Sequence, residues 1–106
     1  MTGGALDGVA SEGVIRGILE EVLKGSPVRV WLFGSRARGD ARPLSDWDLF
    51  LQMPEGGAVP PDLLARLAEA LEASVVPCFV DLVDGARASE GLREKVRKEG
   101  VLWRDW

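Results

Sequence analysis

Two aspartates set two residues apart in an otherwise apolar run constrain this chain more than any other feature. Asp46 to Met53 reads as a β-strand that Pro54 closes. Side chains alternate along a strand, so Asp46 and Asp48 share one face while Trp47 between them points to the opposite, core face. Two carboxylates this close repel each other and raise a pKa unless a cation lies between them. Mg2+ takes near-octahedral oxygen ligands, commonly one or two carboxylates plus substrate phosphates. A DxD pair on a rigid strand supplies such ligands.

The rest of the chain supplies a frame for that strand. Residues 1–10 are small and Gly-rich and read as a flexible tail, and residues 11–106 read as a single domain. Ser11 stands as a helix N-cap ahead of Val14, Ile15, Ile18, Leu19, Val22 and Leu23, a 3.6-residue stripe that Gly25 and Pro27 end. Val28 to Phe33, between Pro27 and Gly34, reads as a strand. After the strand Asp46 to Met53, Asp62 can cap a helix running to about Ala73. Val75 to Val83 reads as a third strand and Ser89 to Glu99 as a charged helix, followed by a short apolar end, Val101 to Trp103. The order helix, strand, strand, helix, strand, helix predicts an α/β (α+β) fold, a small mixed sheet flanked by helices.

Composition removes several chemistries. There is no His, so His triads, His bases and His metal ligands are excluded. The lone Cys78 forms no intrachain disulfide or CxxC site, suits a reducing cytoplasm, and reads as a buried small hydrophobe. A net charge of -4 argues against stable nucleic-acid binding, and no apolar run approaches a membrane span. Any metal must be a hard cation held by carboxylates.

The turn before the aspartates suits an anion. Gly34 lets backbone approach a ligand closely, and a helix starting at Ser35 would present free N–H groups. Residues 28–42 carry four arginines, Arg29, Arg36, Arg38 and Arg42, against the single Asp40, and arginine clamps phosphate. Arg38 is favoured over Arg36 for phosphate or structural support. A triphosphate with Mg2+ fits both halves of this segment. A third carboxylate is expected if two metals are used. Asp81, in the apolar strand, is the candidate; Asp84, three residues on, is the competitor and faces the other side. Each piece alone also fits a bland role, the Gly-Ser pair as a plain turn and the aspartates as a solvated strand face.

Phe33-Gly34-Ser35, ten residues, then Asp46-Trp47-Asp48-Leu49 resembles the signature of the DNA polymerase β nucleotidyltransferase superfamily. The GSRARG wording, Ser45 before the first aspartate, the Asp81 strand and the short length resemble its minimal nucleotidyltransferases, which are often paired with HEPN-domain proteins in toxin–antitoxin modules. The resemblance spans about residues 12–104. It implies the nucleotidyltransferase fold and attack of a hydroxyl on the α-phosphate of an NTP. It also implies Asp46, Asp48 and Asp81 as catalytic residues and ligands of two Mg2+ ions, and Gly34, Ser35, Arg36, Arg38 and Ser45 as nucleotide-binding. In the antitoxin branch AMP passes from ATP to a tyrosine of the HEPN toxin. This chain has no Tyr, so it cannot label itself on tyrosine and the acceptor would have to come from a partner; a homo- or hetero-oligomer is expected as well. The alternatives are a binding module of the same fold that neutralises its partner by contact alone, and transfer to a small molecule such as an aminoglycoside. Trp103 and Trp106 read as covers of a core edge, or else as partner anchors.

Overall fold

The computed structural model describes residues 7–105. Four strands form one mixed sheet in the order β3-β2-β1-β4: β1 (Arg29–Phe33), β2 (Trp47–Gln52), β3 (Val80–Asp84) and β4 (Val101–Arg104). β1 runs antiparallel to both β2 and β4, and β2 runs parallel to β3. A parallel pair needs a crossover, and helix α3 (Pro61–Glu72) provides it. Helices α1 (Gly8–Val22), α2 (Ser35–Arg38) and α4 (Glu90–Glu99) complete the fold. The mixed sheet flanked by helices is the architecture expected from the sequence.

Period two along the strands separates two sheet faces. Val30, Leu32, Trp47, Leu49 and Leu51 point to one, where Ile15, Leu19 and Leu23 and then Leu63, Leu67 and Leu71 pack from the α1 and α3 sides. Trp103 of β4 closes this core, its ring 5.9 Å from that of Trp47. Trp103 thus covers a core edge; Trp106 lies outside the described residues. On the other face Phe33 and Phe50 bury against Val96 of α4, with Trp31, Val83 and Leu92 around them.

Several boundaries are corrected. The first helix starts at Gly8, so residues 8–10 are not tail; residues 1–6 lie outside the described ones. Its cap is Asp7, whose carboxylate accepts the Ala10 N–H at 2.8 Å, while Ser11 is buried within the helix. Asp62 sits in the first turn of α3 rather than at its cap, which falls on Pro60 with Pro61 opening the helix. The third strand begins at Val80, not Val75. Ser74 folds the intervening chain into a turn, its hydroxyl donating to Leu71 O and accepting from Val76 N, and Pro77 offers no N–H to a ladder. The apolar end is a fourth strand, held by pairing with β1 and by the Arg104 guanidinium, which donates to the carbonyls of Leu23, Ser26 and Val28.

Candidate active site

The carboxylates gather at one end of the sheet. Asp48 is the register partner of Phe33 on β1 and of Asp81 on β3. Alternation sets Asp48 beside Phe50 on the α4 face, and Asp81 beside Val83 on the same face. Asp46, just before β2, is exposed. Burial raises the pKa of Asp48 above the ordinary carboxylate value, and the charges of Asp81 and then Asp46 raise it further; Lys95 and Arg38 oppose the shift. Three carboxylates therefore share one electrostatic site with a partial surplus of negative charge.

Gly34 packs directly against this site. Its φ is +79°, the left-handed region, and a Cβ there would collide with the Asp48 carboxylate, lying 3.2 Å from Cγ. Only glycine allows β1 to pass this close to Asp48 and turn at once into α2. The Gly34 N–H donates to Glu99 Oε2 at 3.0 Å, and Arg38 Nη1 donates to the same oxygen at 3.1 Å. Arg38 also pairs with Asp40 through Nε at 3.2 Å. Ser35 opens α2; the Ala37 and Arg38 N–H groups bond Gly34 O, while those of Ser35 and Arg36 have no acceptor within the helix.

Arg36 points elsewhere. Its guanidinium lies 4.3 Å from the Trp47 ring centroid and Nη2 donates to Ser45 O at 2.8 Å, to Pro43 O at 3.1 Å and to Cys78 Sγ at 3.6 Å. The guanidinium expected on a phosphate is instead committed to the core tryptophan and to the loop before β2. Ser45 is committed likewise: its hydroxyl oxygen accepts the Arg42 N–H at 2.9 Å and closes that loop. Cys78 is half-buried rather than buried, its thiol donating to Pro43 O. Asp84 is buried, accepting from Ala86 N and Val59 N, which ties the loop before α3 to the end of β3. The two strand aspartates thus divide: Asp81 is exposed beside Asp48, and Asp84 staples the backbone.

Sequence reasoning missed Glu99 and Lys95. Both lie on α4, whose many charges hide them in the sequence; elsewhere on that helix Glu94 pairs with Arg97 at 2.6 Å. A cavity of about 450 Å3 is lined by Trp31, Phe50, Gln52 and Arg93 at the far end of the α4 face, and none of the three site carboxylates borders it. A second, about 430 Å3, has Asp81 in its wall together with the exposed Phe79.

The donor set is hard oxygen, which fits Mg2+. Among the described residues no three carboxylates converge tightly enough to hold a metal together. The fit is to a pair, Asp48 with Asp46 or with Asp81, leaving the other positions to phosphate and water.

The Polymerase beta nucleotidyltransferase family matches residues 17–103. The chain is 41% identical over 91 residues to the probable protein adenylyltransferase MntA of Haemophilus influenzae, covering 84% of this chain and 75% of the relative. A solved structure named as a minimal nucleotidyltransferase superposes with a TM-score of 0.72 at 34% identity, covering 93% of this chain and 98% of that one. A mutant of the toxin–antitoxin MntA-HpeT gives 0.67 at 27% identity, covering 90% and 72%.

Proposed function

From the premise that this chain belongs to the polymerase beta nucleotidyltransferase family and is a nucleotidyltransferase, we propose that it moves AMP from ATP to a tyrosine hydroxyl of a HEPN-type toxin partner in the cytoplasm and acts as its antitoxin. The observation that carries this reading is the placement of Asp48 against both Gly34 and Asp81, with Asp46 beside them. The named activity of the Haemophilus influenzae relative, a protein adenylyltransferase, supports a protein acceptor. The absence of Tyr from this sequence supports an acceptor on another molecule.

In this reading Ser35 and Arg38 hold the β- and γ-phosphates at the start of α2, where backbone N–H groups and a guanidinium favour anions. Asp48, paired with Asp46 or with Asp81, would hold Mg2+, which when bound would stabilise charge on the attacking and leaving oxygens. The acceptor oxygen forms a bond to the α-phosphorus as the bond to the bridging oxygen breaks, and pyrophosphate leaves with that electron pair. Asp81 receives the hydroxyl proton; it is the exposed carboxylate of the set on the edge strand, where a partner can reach it. Arg36 and Ser45 act one step back, holding the loop that delivers Asp46 to the start of β2.

The test is label transfer. The protein, Mg2+ and ATP labelled at the α-phosphate are mixed with the product of the neighbouring gene, beside the Asp46→Asn and Asp48→Asn variants. Label on a partner tyrosine that vanishes in both variants is the expected result. A stable complex that silences the partner with no label would overturn transfer in favour of neutralisation by contact.

A further inference from the structure

The strand–turn–helix that faces the carboxylates already holds an anion, and the anion comes from the chain itself. The Gly34 N–H and the Arg38 guanidinium converge on a single oxygen, Glu99 Oε2, from 3.0 Å and 3.1 Å. A backbone N–H has one hydrogen, so while Glu99 accepts it no phosphate oxygen can. Resting on the nucleotide site proposed above, we propose that Glu99 is a positioning residue that stands in for a nucleotide phosphate: its carboxylate fills the anion position of the Gly34–Arg38 turn, and an incoming triphosphate displaces it.

The backbone around Glu99 is fixed from both sides. Val96, one turn earlier, is buried against Phe33 and Phe50. Gly100 follows at once, its N–H bonded to Val96 O at 2.8 Å, and Val101 then pairs with Leu32. A Cβ at Gly100 would meet the Val96 carbonyl, so the chain can leave α4 this tightly only through glycine. The side chain alone is free to turn away, and 22% of its surface faces solvent. Without nucleotide, Glu99 keeps the two donors aimed at one point and balances Arg38 next to a site that already carries three aspartates. With nucleotide, the same carboxylate is a like charge beside phosphate and must yield. Glu99 therefore trades affinity for an ordered turn.

Glu99→Gln separates these effects. The amide oxygen still accepts the Gly34 N–H, while the ion pair with Arg38 is lost. Glu94→Gln removes the same charge from the same helix, where Glu94 faces Arg97 instead. Binding of ATP and of inorganic tripolyphosphate, each with Mg2+, is measured by calorimetry on the full chain. The expected result is a Kd lower by about twofold to fivefold for Glu99→Gln with both probes, the range of a partly exposed ion pair, and no change for Glu94→Gln. Unchanged or weaker binding by Glu99→Gln overturns the proposal, since a merely structural Glu99 would lose affinity on removal. Binding by no form, the parent included, would instead overturn the nucleotide site itself. If Glu99→Gln does not fold, the parent protein decides: tripolyphosphate must shift the Gly34 amide resonance, and an unmoved resonance overturns displacement.

Discussion

The two faces of the sheet are built from the same four strands and solve opposite problems. The face toward α1 and α3 is closed: Ile15, Leu19, Val30, Leu49, Leu51 and Leu67 leave almost no surface to solvent. The face toward α4 is closed only in its middle, by Phe33, Phe50 and Val96. One of its ends holds Asp48 and Asp81, and the other opens into a cavity beside Trp31 and Gln52. Apolar burial at about 25 cal/mol per Å2 makes the first face the source of stability. The second carries like charges and a glycine at positive φ, both of which cost stability, and both lie at the candidate site. Adjacent residues of β2 belong to opposite regimes, Leu49 to the first and Asp48 to the second.

The sharpest way to break this comparison is to damage each face alone. Leu67→Ala, in the closed face and far from the carboxylates, should cost about 2–5 kcal/mol in urea unfolding. Transfer per folded molecule should not change. Gly34→Ala should cost about 1–3 kcal/mol, since alanine is strained at this φ and its Cβ meets Asp48. Here transfer should fall with stability, because the carboxylate is pushed from its place. Arg36→Met should cost about 1 kcal/mol through loss of the Trp47 stacking and loop hydrogen bonds. Steady-state kinetics should then show KM for ATP unchanged, because this guanidinium holds the loop rather than phosphate.

The smallest effect has a pH signature. The Asp48 carboxyl is raised above its ordinary value by burial, then by Asp81 and Asp46. The folded protein therefore holds this proton more tightly than the unfolded chain, so stability falls as pH rises from the unfolded value to the raised one. The cost is full above the folded pKa and is relieved on acidification through it. Asp48→Asn should raise Tm at neutral pH by about 2 °C, after screening by solvent. The gain should shrink in melts taken below the folded pKa.

The parts legible in the sequence were those set by neighbours along the chain. Period two placed Asp46 and Asp48 apart from Trp47, and period 3.6 placed Ile15 and Leu19 in the core. Gly34 was legible as a point of close approach, though not that Asp48 is what it approaches. What depends on distant partners was not legible. Glu99 meets Gly34 across 65 residues of chain, and nothing within α4 marks it off from the solvated glutamates around it. Arg36 and Arg38 are two apart in one short helix, so their opposite commitments follow from where Trp47 and Glu99 lie in space. β4 has four residues and no alternation of its own to announce it; pairing with β1 makes it a strand.

The most direct test of the division between faces is one variant read in two ways. Asp48→Asn is assayed for label transfer from α-labelled ATP and for thermal unfolding in the same buffer at neutral pH. The predicted result is transfer lost, by roughly a hundredfold to a thousandfold as for removal of a key charge-stabilising group, with Tm equal to or above that of the parent. Transfer that persists in a well-folded Asp48→Asn protein, or a Tm that drops, would contradict the account.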